Sequence, residues 1–268
     1  MKIFDTFTFF NELDVLELRL NMLYDHVDYF ILVEATKSHQ NKPKPLYFKE
    51  NIHRFEKFLP KIIHVIIDDF PPYSYWSNEN YQRDCIYHAA SKLAEDDDII
   101  FISDLDEIWN PKAILPTLNS IKNDKIYRWK SRICYFYFNL IADQNDWIQP
   151  MFLKFSLLKD LIIQKNLLIS HDILRNHSQK LDQSINIILD SYCGWHFSYT
   201  ESVTYKLQNF LHDEYKDLTE QYINDCIKNK INPFYKNEMK IIHENEFKTY
   251  LPDFVLNNIQ NYNKFLLK

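Results

Sequence analysis

Apolar residues in this chain fall into short unbroken runs, separated by stretches where they recur every three or four positions. That is the pattern of buried strands alternating with helices. Residues 2–9 read as a strand, and Asn11 is placed to cap a helix over 12–25, where Leu13, Leu16, Leu20 and Leu23 share a face. The runs Tyr29-Phe30-Ile31-Leu32-Val33, Ile62-Ile63-His64-Val65-Ile66-Ile67 and Ile99-Ile100-Phe101-Ile102 lack polar alternation and fit strands covered on both faces. Residues 38–49, with Pro43 and Pro45, read as a loop, residues 78–94 as a helix, and Pro111 opens a helix reaching about 122. Strand–helix–strand alternation predicts a mostly parallel sheet with right-handed crossovers.

The second half changes character. Residues 125–141 and 147–158 are rich in aromatic and β-branched side chains and predict longer strands forming an antiparallel extension. Residues 160–190 show no clear period, whereas 201–229 is helical and 245–268 is a helical tail broken at Pro252. The expected fold is therefore α/β, a single domain over 1–268, with a ligand-binding half at 1–110 and a second half with C-terminal helices at 111–268.

Open parallel sheets bind ligands beyond the C-terminal ends of their strands. Glu34, Asp68-Asp69 and the pair Asp104 and Asp106 all fall at that edge. Two aspartates, two apart in extended chain, would share one face and form a hard-oxygen site for Mg²⁺ or Mn²⁺, which completes its shell with water and phosphate oxygens. A helix cap or a solvated turn is the alternative use of the same pair. Glu95-Asp96-Asp97-Asp98 lies at the other end of the same strand and reads as solvated loop.

Composition narrows the ligand class. The 31 basic and 37 acidic residues are spread along the chain, for a formal charge of −6, so no basic stripe points to nucleic acid. An acidic protein that takes up a diphosphate needs local cations. Cys85, Cys134, Cys193 and Cys226 are far apart and read as reduced core residues. The N-terminal segment lacks the h-region of a signal peptide and no apolar run reaches a membrane span, so the expected location is cytoplasmic, at most beside the inner face of a membrane. Gly194 is the single glycine of the chain, and its retention points to a positive φ or to close approach of a ligand.

Specific motifs go further. Ile3-Phe4-Asp5-Thr6-Phe7, Asn11-Glu12-Leu13-Asp14 with Glu17 and Arg19, and Val27 through Glu34 occur in an order and spacing that resembles the opening of glycosyltransferase family 17. Gln82-Arg83-Asp84, Ser103-Asp104-Leu105-Asp106-Glu107-Ile108, Gly194-Trp195-His196-Phe197-Ser198-Tyr199 and Lys206…Phe210…His212 extend the resemblance over most of the chain. It implies a GT-A-type fold, a UDP-sugar donor (UDP-GlcNAc by family), a divalent cation, a glycan acceptor and inversion at the anomeric carbon. On this basis Asp104, Asp106 and His212 are the expected metal ligands, and Asp5, Glu34, Arg83, Asp104, Trp195 and His196 the expected donor-binding residues. Inversion needs a base, for which Asp190 is the first candidate and Glu201 the second. A metal-dependent nucleotide-sugar or phosphoester hydrolase, and a non-catalytic carbohydrate-binding protein keeping the fold, are the competing readings.

Overall fold

The parallel part of the sheet forms around three buried strands and a half-buried edge strand in the computed structural model, which describes residues 1–71, 75–142, 146–165, 183–201, 203–209, 215 and 217–268. Strands β1 (Ile3–Phe9), β2 (Tyr29–Ala35), β3 (Ile62–Ile67) and β4 (Ile99–Ile102) pair in parallel in the order β4-β1-β2-β3. Helix α1 (Leu13–Leu23) joins β1 to β2, and α2 (Tyr75–Ala90) lies between β3 and β4. Alternate residues feed two separate apolar layers. Phe30, Leu32 and Phe101 pack into one cluster with α1, and Ile31, Val33, Ile100 and Ile102 into the other with Ile86 and Ala90 of α2. Burial on both faces explains the unbroken apolar runs of β2 and β4, since each such side chain contributes roughly 1.5–3 kcal/mol when removed from water. Strand β3, expected to be covered on both faces, is instead a half-buried edge strand with Ile66 exposed.

The antiparallel extension is built on β4. After β5 (Glu107–Trp109) and helix α3 (Pro111–Leu118) come β6 (Ile126–Tyr135), β7 (Leu140–Ala142), β8 (Met151–Lys154), β9 (Asn186–Ser198) and β10 (Met239–Ile241). Strand β8 pairs antiparallel with β4 and β6, and the row ends β6-β7-β10. Strand β9 runs parallel to β6 and antiparallel to β5. The result is the α/β layout expected: a parallel central part, an antiparallel extension and helices toward the C-terminus. One apolar cluster runs from Phe7 to Phe265, tying the first strand to the last helical turn. Among the described residues, no helix is long and apolar enough to cross a membrane.

Several local expectations are corrected. Asn11 does not cap α1; the N-cap is Glu12, without a side-chain cap bond, and the Val15 N–H donates instead to Glu201 Oε1 at 2.8 Å. The strand expected over 125–141 is broken at Phe136, which takes φ 65° without being glycine, so the chain turns and re-enters as β7. The strand expected over 147–158 stops at Lys154. Helix α4 (Phe155–Lys165) then buries Phe155, Leu158 and Leu161 at helical spacing, with no breaker residue to mark the change of period. Asp98 is not solvated: it is buried and accepts from the backbone N–H of Lys2 at 2.6 Å and of Glu95 at 2.8 Å. All four cysteines are free thiols.

Gly194 does not adopt positive φ. A Cβ there would lie 2.6 Å from Trp129 Nε1 and 2.7 Å from the Ile108 carbonyl oxygen. Its small size serves the packing of β9 against β5 and a fully buried tryptophan.

Candidate functional site

Strand β4 ends at Ile102 and the chain turns before β5, so Ser103 through Glu107 form a tight corner at the C-terminal edge of the sheet. The Glu107 N–H closes the turn on the Asp104 carbonyl at 3.0 Å, and Glu107 Oε2 accepts from the Asp104 N–H at 2.7 Å. This geometry replaces the extended stretch expected for Asp104 and Asp106. They reach one cavity from a turn, not from one face of a strand.

A buried cation fixes the corner. Arg19 of α1, wholly inaccessible, forks onto Asp5 with two 2.7 Å bonds. Its remaining donors reach the carbonyl oxygens of Asp104 (2.8 Å), Leu105 (3.0 Å) and Glu107 (3.1 Å) and Ser103 Oγ (2.7 Å). Asp5 Oδ1 also accepts from Trp109 Nε1 at 3.1 Å. A desolvated ion pair is costly to create, and it persists where surrounding hydrogen bonds satisfy both partners, as here.

The cavity over this corner is lined by Glu12, His39, Glu79, Gln82, Arg83, Asp104, Asp106, Trp147, His196 and Lys206, with Tyr135, Tyr199, Tyr215, Phe234 and Tyr235 along another part of its wall. Its charges are arranged in two chains. Arg83 bridges Glu79, one helical turn before it, to Asp104 Oδ1 at 2.8 Å. Lys206 lies 2.5 Å from Glu12 Oε1 and 4.0 Å from Asp106 Oδ2, while His196 Nε2 stands 3.6 Å from Asp106 Oδ1.

Burial opposes ionisation of Asp106, yet His196 and Lys206 outweigh it and hold the carboxyl below the usual aspartate range. Burial likewise works against the charges of Arg83 and Lys206, and their carboxylate neighbours prevail, so both stay firmly cationic. The opposite holds for His39, where burial pushes the imidazole toward its neutral form.

The structure brings four expected site residues, Arg83, Asp104, Asp106 and His196, to this cavity. It sends others elsewhere. Asp5, expected to bind donor, is fully buried and holds Arg19. Glu34, also expected to bind donor, is fully buried; it accepts from the Phe48 N–H at 3.0 Å and meets His64 Nε2 at 3.0 Å. Trp195 points to the opposite side of β9 from His196, because strand residues alternate, and donates to the Tyr250 carbonyl at 2.7 Å. It lines a different cavity.

Neither base candidate lines the cavity over Asp104. Asp190 is exposed on β9. Glu201 lies in a neighbouring cavity of about 640 Å³, where it serves the N-terminus of α1; burial pushes its carboxyl up to about 7. His212 lies outside the described residues.

Glu12, His39, Glu79 and Lys206 were not singled out for roles from the sequence. Glu12 and Lys206 stood inside the motifs that carry the family resemblance, and Glu79 left a local signal, an acid four residues before Arg83 on a helix. The donor set suits a hard divalent cation supplied with further ligands by water and phosphate: Asp104 and Asp106 offer carboxylate oxygens at one cavity. A self-contained protein cage is a different matter, since the described residues include no group of three or more His, Cys, Asp or Glu able to hold a metal.

A turn with paired aspartates at the end of a parallel strand, under a cavity with fixed cations, makes a polar ligand site at the C-terminal edge of an α/β sheet. The family model for glycosyltransferase family 17 matches residues 1–233, and the chain belongs to that family. Over 106 residues, 37% of this chain, it is 33% identical to the beta-1,4-mannosyl-glycoprotein 4-beta-N-acetylglucosaminyltransferase of Homo sapiens and 32% identical to that of Mus musculus. The matched part spans 20% of those relatives' length. Among solved structures, S. aureus TarS 1-349 superposes with a TM-score of 0.46 and 13% identity over 99% of this chain and 80% of its own. The mannosyltransferase PcManGT from Pyrobaculum calidifontis, in complex with GDP-Man and Mn²⁺, gives 0.48 and 10% over 85% and 64%.

Proposed function

We propose that this chain is an inverting, metal-dependent glycosyltransferase that moves a sugar, GlcNAc by family resemblance, from a UDP-sugar to a hydroxyl of a glycan acceptor. The observation that carries the reading is the position of Asp104 and Asp106: both line one cavity at the end of β4, on a turn locked by Arg19.

In this reading Asp104 and Asp106 hold a divalent cation, Mn²⁺ or Mg²⁺, which supplies charge neutralisation for the leaving diphosphate. Arg83 orients Asp104 through its hydrogen bond. Lys206, kept protonated by Glu12 and Asp106, offers a second positive charge near the diphosphate, and His196 braces Asp106 from the β9 side. Four carboxylates of the cavity, Glu12, Glu79, Asp104 and Asp106, face two permanent cations, Arg83 and Lys206. The surplus negative charge favours a divalent cation over a bare diphosphate.

Transfer and hydrolysis are separated by acceptor dependence. UDP release from UDP-GlcNAc is expected to rise strongly when a glycan acceptor is added, measured by coupled UDP detection. Equal turnover with and without acceptor would favour the hydrolase.

A further inference from the structure

The wall of the cavity away from Asp104 is aromatic. Phe234 is its centre, with ring centroids 4.6 Å from Tyr199, 5.0 Å from Tyr215 and 6.0 Å from Tyr135. It is continuous with the charged part: Lys206 Nζ stands 4.0 Å from Asp106 Oδ2 and 6.0 Å from the Tyr199 ring centroid. Beside Phe234, Tyr235 also lines the cavity and yet is 58% exposed.

The turn that carries Tyr235 is built for rigidity. Asn232 is fully buried, and its Oδ1 accepts from the N–H groups of Phe234 (2.9 Å) and Tyr235 (3.3 Å). Its backbone closes the loop in both directions, donating to the Asn237 carbonyl at 2.8 Å and accepting from the Lys236 N–H at 2.9 Å. Lys236 adopts φ 61°, a conformation uncommon for a residue with a side chain, and its ammonium donates to the Pro233 carbonyl at 2.7 Å. A tyrosine held on such a turn presents ring area to solvent with little backbone freedom left to lose on binding.

We propose that Tyr199, Phe234 and Tyr235 form the acceptor subsite, where Tyr235 stacks on a pyranose ring of an oligosaccharide. This rests on the transferase reading of the same cavity. The apolar C–H face of a pyranose matches an exposed aromatic ring, and the ring's hydroxyls remain free to meet the charged part of the cavity. The cations suited to a diphosphate stand beside the aspartates, Lys206 at 4.0 Å from Asp106 and Arg83 at 2.8 Å from Asp104. Tyr199 lies within the residues matched by the family model, and Phe234 and Tyr235 follow its last matched residue.

The test uses four trisaccharides, chitotriose, mannotriose, maltotriose and cellotriose, as probes by ligand-observed NMR, with UDP–Mn²⁺ calorimetry alongside. Wild-type protein is expected to bind at least one of them, Tyr235→Ala to weaken that binding roughly tenfold, and Tyr235→Trp to restore it to within about threefold. UDP–Mn²⁺ affinity should be equal in all three proteins. Trisaccharide binding unchanged by Tyr235→Ala would overturn the subsite, as would UDP–Mn²⁺ binding without binding of any trisaccharide. Tyr235-dependent trisaccharide binding without UDP binding would uphold the subsite and remove the donor reading.

Discussion

Single side chains in this protein carry opposite electrostatic loads. Arg19 and Asp5 are buried but mutually satisfied, whereas Asp84, next to Arg83, is buried with an Oδ1 that meets no hydrogen-bond partner. Burial alone pushes the Asp84 carboxyl up to about 7. A folded-state value above the unfolded one means that the native state binds the proton more tightly. Its contribution to stability is full below about pH 4 and is lost as pH rises toward 7. Asp84→Asn should remove that slope and raise stability at pH 8 by roughly 1–3 kcal/mol, measured by urea denaturation at pH 5 and pH 8. Parallel pH dependence in the two proteins would show that Asp84 is not protonated on folding. Asp5 and Glu34 show why residue type alone does not tell which carboxylates line the cavity: a carboxylate at a strand edge can face inward as easily as outward, and only the partners Arg19 and His64 decide.

At the scale of elements, β2 and β4 were legible because burial on both faces writes itself as an unbroken apolar run, and β3 carries such a run although it is a half-buried edge strand. The less regular strands were not. Strand β9 pairs with β5 and β6 but places the apolar Ile188 and Tyr192 at exposed positions, so its sequence lacks a polar–apolar alternation, and β5 spans only three residues. The break at Phe136 was invisible because no glycine or proline marks it. Gly194 was expected to mark a positive φ or the close approach of a ligand; its φ is not positive, and the groups that crowd it are Trp129 and the β5 backbone. Trp129 is fully buried and has no room to yield. Gly194→Ala should therefore destabilise the fold by about 2 kcal/mol or more, read as a lowered urea midpoint. A midpoint equal to wild type would mean that β5 and β9 separate at little cost.

Across the whole molecule, the sequence pointed to one edge of the sheet, and the structure assembles Arg83, Asp104, Asp106 and His196 there from α2, the β4–β5 turn and β9. What stayed hidden depends on long-range closure: Glu12 and Lys206 are separated by most of the chain before they meet at 2.5 Å. The proposed donor site sits at that closure. Isothermal titration of the folded protein with UDP should show binding that requires Mn²⁺ or Mg²⁺ and that Asp106→Ala abolishes without unfolding the chain. UDP binding of equal strength without the cation, or unaltered cation-dependent binding in Asp106→Ala, would contradict it.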